Sequence, residues 1–193
     1  KDEFARIEAY KAGEFDFVHE NAAKNWARSY IGRKFASGEL IKTELPNSNA
    51  QGLQAFYFNV RKPVFKDVRV REAIALALDY EWMNRQLFYM AYTRVRGYFV
   101  GSDFEAKGLP STDELALLEP LRAKLAPEVF TEAVPLPPVT SLDPASGQTL
   151  RDHLRLARDL LQQAGWTYRE GALRNDKGEA FTIEFLDNSG SMG

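Results

Sequence analysis

The segment RKPVFKDVRVREAIALALDYE, residues 61–81, carries the clearest structural pattern in the sequence. Pro63 favours an extended approach, and Asp67 suits a helix N-cap because its carboxylate can accept hydrogen bonds from amides of the first turn. Beyond Asp67, apolar residues recur at the spacing of one helix face, at Val70, Ala73, Ile74, Ala77 and Leu78. The segment therefore predicts a helix that packs on another element.

Length and composition limit the class of protein. With 193 residues, the chain can form one large domain or parts of two. A net charge of -2 with both signs mixed indicates neither a nucleic-acid face nor a membrane-surface patch. The absence of cysteine excludes disulfides and thiolate zinc sites, and no apolar run approaches the roughly 20 residues of a membrane span.

Helix and strand patterns alternate along the chain. Strands are predicted from β-propensity at 15–18, 40–45, 53–60 and 180–186, with a hairpin turning at Gly171. Helices are predicted at 1–13, 68–78, 80–92, 113–119 and 150–164. Ser111 and Glu114 match a capping box at the start of the helix 113–119. This interleaving favours an α/β or α+β class.

Catalytic patterns are missing from the sequence. His19 and His153 are the only imidazoles, no zinc motif accompanies either, and His153 is expected to be solvated. Acidic pairs such as Asp113 and Glu114 sit at predicted helix N-termini, where the helix dipole accounts for them. We therefore expect no enzyme, no cofactor and no metal site.

One cluster, YTRVRGYF at 92–99, combines Tyr92, Arg94, Arg96 and Tyr98. These side chains suit stacking and bidentate carboxylate contacts, so the cluster can be a ligand-lining loop. Alternatively, the aromatic rings fill core and the arginines cover acidic neighbours. The sequence leaves both interpretations open.

Three blocks together resemble a known family: GEFDF, AFYFNVRKPVFKDVRVREAIALALDYEWM and LRLARDLLQQAGWTYREGALRNDKGEAFTIEFL. Their order and spacing are similar to the extracellular solute-binding proteins of bacterial ABC importers, the oligopeptide and nickel type called family 5. The stretches LFYMAYTRVRGYF and LEPLRAKLAPEVF resemble, more narrowly, the branch associated with uptake of microcin C and related peptides. The resemblance covers residues 3–187.

The resemblance implies a two-lobed α/β fold of the type II periplasmic-binding class, of which this chain is a fragment. Residues 1–53 would be the end of the first lobe with the crossover, and residues 54–193 the first half of the second lobe. Exposed sheet edges and an apolar surface, covered by the remainder of the protein, are then expected.

The same resemblance implies a function. The complete protein would be a periplasmic, monomeric binding component that captures a peptide or peptide-like ligand by lobe closure, delivers it to an ABC permease at the inner membrane, and binds no nucleic acid. A sensory or interaction module on the same fold and, less favoured, a hydrolase are the alternatives.

Site residues follow from the resemblance as well. In related oligopeptide binders, an Asp just after the strand equivalent to TIEFL (182–186) holds the peptide's ammonium group. Here Ser191 occupies that position, and Asp187 or Asn188 can substitute. The implied cleft is lined by Tyr92, Arg94, Arg96, Tyr98, Asp187 and Asn188, with Asn25 and Trp26 from the opposite lobe.

Overall fold

A computed structural model describes residues 2–47, 49 and 52–186. Contacts between Cα atoms divide the chain into two compact units. The first unit combines Lys1–Ala55 with Tyr80–Pro138, and the second combines Phe56–Asp79 with Val139–Gly193. The assignment of residues 1–53 and 54–193 to different lobes stays a prediction.

Short helices dominate both units. The α-helices are α1 (Glu3–Ala12), α2 (Ala23–Arg28), α3 (Arg33–Ala36), α4 (Val68–Leu76), α5 (Tyr80–Gln86), α6 (Thr112–Leu118), α7 (Glu128–Thr131) and α8 (Leu150–Gln163). The 3-10 helices are Pro63–Phe65 and Glu119–Lys124, and the strands are β1 (Thr167–Arg169) and β2 (Ala172–Arg174). The mixed helix and strand composition is as predicted.

Helix α1 anchors the core of the first unit. The Asp2 carboxylate accepts hydrogen bonds from the first-turn amides, and Gly13 ends the helix in the left-handed region at φ 88°. The buried face of α1 packs against aromatic side chains that follow it in sequence. This core consists of Ile7, Tyr10 and Tyr30, flanked by Phe15, Val18, Phe35 and Leu40.

The core of the second unit lies between α4 and α8. Asp67 caps α4 as predicted, its carboxylate accepting a hydrogen bond of 2.9 Å from the Arg69 amide. Val70 and Ala73 are buried as the periodicity predicted. The helix ends at Leu76, which is buried, and Ala77 lies beyond the end and is exposed, so the predicted face is wrong at this residue.

The prediction of a capped α6 is also confirmed. The Glu114 amide donates to Ser111 Oγ at 3.3 Å, and the Ser111 amide donates to Glu114 Oε2 at 2.7 Å, which together form a capping box. Pro120 lies in the 3-10 helix that follows, where its missing N–H is tolerated.

The hairpin after α8 has the predicted turn. Strands β1 and β2 pair antiparallel, with Thr167 opposite Arg174. Glu170 and Gly171 between them have φ values of 49° and 79°, as a tight two-residue hairpin turn requires. The Trp166 ring packs against Phe181 with ring centroids 4.9 Å apart.

The strands predicted at 15–18, 40–45, 53–60 and 180–186 are wrong for the described residues, which contain only one bridge there, between Arg174 and Ala180. The described residues of these segments form no strand, although the Phe181 amide donates a hydrogen bond to the Leu173 carbonyl at 2.8 Å. Where 53–60 and 180–186 meet, the Phe56 and Phe185 rings make contact, at 5.8 Å between centroids. High β-propensity favours an extended chain, but a strand also needs a partner.

Helix α5 ends earlier than predicted. The pattern predicted a helix to residue 92, but α5 ends at Gln86. Tyr89 and Met90 have φ values of 54° and 61°, which a right-handed helix cannot contain. The chain therefore leaves the helix six residues before Tyr92.

His153 is buried, so the expectation of a solvated side chain is wrong. Its Nδ1 lies 3.3 Å from the Thr140 carbonyl oxygen, and Thr140 Oγ1 donates to the Leu78 carbonyl at 2.6 Å. The Pro-rich stretch that begins at Val134 brings Thr140 against this part of α8. Helix periodicity cannot show that a loop covers a polar helix face.

Candidate ligand-binding site

The predicted ligand loop starts at a fixed point on α5. Asn84, a buried residue of α5, donates from Nδ2 to the Tyr92 carbonyl at 2.6 Å and accepts from the Tyr92 amide at 3.3 Å. One amide side chain thus satisfies both backbone polar groups of Tyr92. The Tyr92 ring is exposed and contacts Phe88, with ring centroids 5.2 Å apart.

Arg94 turns inward. Its side chain is 19% exposed, and Nη1 donates to the Pro138 carbonyl at 2.5 Å. The guanidinium lies 5.3 Å from the centroid of the Tyr80 ring and 4.0 Å from Glu81 Oε1. Burial lowers the pKa of Arg94, and the charge of Glu81 opposes that shift. These contacts tie the loop to α5 and to the Pro-rich stretch.

Arg96 pairs with an acidic residue that the sequence analysis did not single out. Its Nε donates to Glu105 Oε1 at 2.6 Å, and the Glu105 side chain is only 2% exposed. The Gly101 amide donates to the other Glu105 oxygen at 3.2 Å, and Lys107 Nζ lies 3.4 Å from it. These bonds, that of Arg96 first, lower the pKa of Glu105 to about 2.

The aromatic side chains of the loop face solvent in the first unit. Tyr98 is 67% exposed and Phe104 is 80% exposed, and the rings of Phe99 and Phe104 meet at 6.4 Å between centroids. The rings of Tyr92, Tyr98 and Phe99 are therefore not part of the core of the first unit, contrary to the interpretation that they fill core. The acidic neighbours that it expected for the two arginines are present, in Glu81 and Glu105.

The two residues predicted from the other lobe lie on α2, in the same compact unit as the loop. Asn25 is buried, and its Nδ2 lies 3.4 Å from Glu3 Oε2. The Trp26 ring is half-buried, 6.3 Å from the Tyr30 ring and 4.4 Å from Lys42 Nζ. Asp187 and Asn188 lie outside the described residues.

Helix α2 also contacts the turn that leads into the loop. The Arg28 guanidinium lies 5.1 Å from the centroid of the Tyr89 ring. Tyr89 precedes Tyr92 by three residues, so this cation–π contact joins the region of Trp26 to the start of the loop.

The arrangement suits binding by shape and stacking. Across residues 2–47, 49 and 52–186, no three His, Cys, Asp or Glu side chains assemble into a group that could hold a metal.

An open depression of about 540 Å³ lies in the second unit, around Lys62, Asp67, Trp166 and Lys177, and it includes none of the predicted site residues. No helix within the described part of the chain has the length and apolar character to cross a membrane.

Comparison with curated proteins gives relatives of much greater length. The chain is 42% identical over 186 residues to "Uncharacterized protein YejA" of Escherichia coli (strain K12), covering 96% of this chain and 30% of the relative. It is 34% identical over 194 residues to "Probable peptide-binding protein YejA" of Agrobacterium fabrum, covering 99% and 31%. "Peptidoglycan-binding protein YepA" of the same organism is 29% identical over 190 residues, covering 93% and 30%.

The chain thus spans about 30% of the length of the curated relatives it matches. The family model described as "Bacterial extracellular solute-binding proteins, family 5 Middle" matches residues 1–192. The chain therefore belongs to the bacterial extracellular solute-binding proteins of family 5.

Proposed function

We propose that this chain is part of the substrate-binding component of an ABC importer, which captures peptides or peptide-like ligands in the periplasm and delivers them to a permease at the inner membrane. The observation that carries the proposal is the family match across residues 1–192. Proteins of this family are periplasmic, two-lobed and normally non-enzymatic. The relative named "Probable peptide-binding protein YejA" supports a peptide as the ligand class.

Lobe closure provides the mechanism. An open, unliganded form and a closed form are in equilibrium, and the ligand shifts this equilibrium only by its greater affinity for the closed form. A ligand that contacts both lobes has that preference, because the second set of contacts exists only after closure. The closed, loaded protein is then the form that the permease accepts.

The ligand cleft in this proposal is lined by Tyr92, Arg94, Arg96, Tyr98, Asp187 and Asn188, with Asn25 and Trp26. The exposed ring of Tyr98 supports this placement, since a rigid aromatic side chain offers a large contact area at low conformational cost. The net charge of -2 supports a small-molecule ligand over nucleic acid. We further propose that the complete protein acts as a monomer and performs no chemical step.

The proposal is tested on the complete protein purified from the periplasm. Native mass spectrometry should show a co-purified ligand of peptide mass. Isothermal titration calorimetry should show binding to one of two ligand sets: synthetic peptides of three to five residues, or stem peptides of peptidoglycan. The two sets correspond to the names of the two Agrobacterium relatives, one called peptide-binding and the other peptidoglycan-binding. Small-angle X-ray scattering should show a smaller radius of gyration with ligand. A protein that binds neither set and does not contract contradicts the proposal.

Deleting the permease genes tests whether the protein acts in import or in sensing. Deleting the permease genes should abolish uptake of the identified peptide while the purified protein still binds it. Retained uptake in that strain would instead favour a module that binds the peptide for signalling.

A further inference from the structure

We propose that Glu105 is a positioning residue of the ligand site: it closes the segment 96–105, the tip loop, and so presents the aromatic rings of that loop to ligands with apolar or aromatic side chains. This inference rests on the proposed function and adds both a residue and a ligand class to it. Glu105 touches no ligand in this account. It acts through Arg96 and the Gly101 amide.

The geometry places one carboxylate at the centre of the tip loop. Arg96 begins the loop, Gly101 lies in its middle, and Glu105 ends it. The carboxylate accepts from Arg96 Nε at 2.6 Å and from the Gly101 amide at 3.2 Å. With its side chain only 2% exposed, Glu105 would lose these donors without full replacement by water, which is costly for a buried charge. The closed loop is therefore the favoured state.

The backbone of the tip loop needs such support. Phe99 has a φ of 58° and Gly101 a φ of 83°, and the left-handed region is unfavourable for a side chain as large as that of Phe99. Ser102 Oγ donates to the Phe99 carbonyl at 2.8 Å, and the Glu105 amide donates to the Ser102 carbonyl at 3.2 Å. Together with the Glu105 carboxylate, these hydrogen bonds hold the backbone of the turn, and the aromatic side chains of the turn are exposed to solvent.

Charge explains why the loop should select apolar ligands. The positive charge of Arg96 is matched at 2.6 Å by Glu105, and Lys107 lies 3.4 Å from the same carboxylate. The Arg96 side chain is 47% exposed, but its Nε is held by Glu105, and the exposed side chains of the loop include the rings of Tyr98, Phe99 and Phe104. A loop held in its binding conformation loses less entropy on binding, which raises affinity without a new contact.

The test replaces Glu105 by Gln in the complete protein and measures two quantities. Amide hydrogen exchange of peptides covering 97–104 should accelerate by at least about 10-fold, since opening that exposes these amides becomes easier. Affinity for peptides with a Phe or Leu side chain should fall by about 10-fold. Glu119→Gln is the matched control, because Glu119 also pairs with an arginine, Arg122 at 2.5 Å, but within a separate 3-10 helix. It should change neither quantity.

A cycle of combined substitutions distinguishes a positioning role of Glu105 from a general loss of stability. In a background that carries Tyr98→Ala, Phe99→Ala and Phe104→Ala, adding Glu105→Gln should change affinity by less than about 2-fold, because the rings that the Glu105 contacts present are already gone. A merely structural role would lower affinity equally in both backgrounds. If Glu105→Gln does not fold, Glu105→Asp tests the same contacts, because it keeps the charge but shortens the side chain that reaches Arg96 Nε and the Gly101 amide.

The outcomes that overturn the inference are distinct from those that overturn the proposed function. Unchanged exchange across 97–104 shows that Glu105 does not hold the loop. Accelerated exchange with unchanged affinity shows that the loop lies outside the site, and a preference for acidic over apolar side chains contradicts the ligand class. A complete protein that binds no peptide overturns the proposed function and the ligand half of this inference, while the exchange measurement still decides whether Glu105 holds the loop.

Discussion

Glu20 joins three parts of the first unit through one carboxylate. Its side chain is 3% exposed and accepts from Arg6 Nη2 at 3.0 Å, from the Tyr30 hydroxyl at 2.9 Å and from the Ala22 amide at 2.8 Å. Burial alone would raise the pKa of Glu20, but these hydrogen bonds and the charge of Arg6 lower it overall. The ionised form is therefore part of the fold.

Acid should destabilise this unit through Glu20. A carboxyl group with a lowered pKa in the folded state stabilises the fold above its ordinary value of 4.5, and that stabilisation is lost as the pH falls through the lowered pKa. We expect the melting temperature of the complete protein to fall below pH 4.5, and Glu20→Gln to flatten the fall. Differential scanning calorimetry across pH 3–7 measures both. An equally steep fall in the variant contradicts the prediction.

Alkali should act through Tyr30. Burial and the hydrogen bond to Glu20 raise the pKa of Tyr30 to about 12, so its contribution to stability is complete below pH 10 and is lost as the pH rises toward 12. Tyr30→Phe removes a hydrogen bond to a charged group and should cost about 1.5–3 kcal/mol at pH 7. The variant should also lose the part of the alkaline transition that comes from Tyr30. Urea unfolding monitored at pH 7 and pH 10.5 measures both effects.

At the scale of elements, local patterns predicted structure well. The caps at Asp67 and at Ser111 with Glu114 were identified correctly, because a capping residue and its acceptor or donor lie within one helical turn. The turn at Gly171 was identified for the same reason: its conformation depends on its own residues.

Features that depend on distant residues were not predictable in this way. The strands expected at 53–60 and 180–186 have the required propensity, but pairing depends on chain far away in sequence. Glu105 escaped notice because nothing in its sequence neighbourhood shows that Arg96 and the Gly101 amide converge on it. Arg94 and Arg96 were predicted as ligand contacts, a role that stays a prediction, and the sequence did not reveal that Arg94 is largely buried beside Glu81 or that Arg96 pairs with Glu105.

The contact between α4 and α8 depends on small side chains. Ala73 and Ala157 are both buried in the core between these helices. Ala157→Leu would insert a larger side chain into this contact, and overpacking costs about 1–3 kcal/mol. Gln163→Leu, at an exposed position of the same helix, should stay within about 0.5 kcal/mol. Circular dichroism melts of the complete protein measure the difference; equal effects of the two substitutions would contradict a close-packed contact.

At the scale of the whole molecule, the length of the chain and its exposed apolar side chains support the same conclusion about the complete protein. The chain spans about 30% of its curated relatives, and large apolar side chains of the segments 53–60 and 180–186 are exposed, among them Phe56, Tyr57 and Phe185. Soluble monomers rarely expose contiguous apolar surface of this kind without a partner that covers it. We propose that other parts of the complete protein cover these segments and pair with their backbones.

Hydrogen exchange on the complete protein tests this cover. If 53–60 and 181–186 become strands there, their amides should exchange at least about 100-fold more slowly than those of the solvent-facing loop 142–148, because amides in a sheet exchange only when it opens. The tip loop should remain accessible without ligand, since the proposed cleft has to admit one. Rapid exchange in both segments would mean that they form no strand in the complete protein, and the exposed side chains would then need another explanation, such as contact with the permease. Protection that appears only when the permease is added would identify that contact directly.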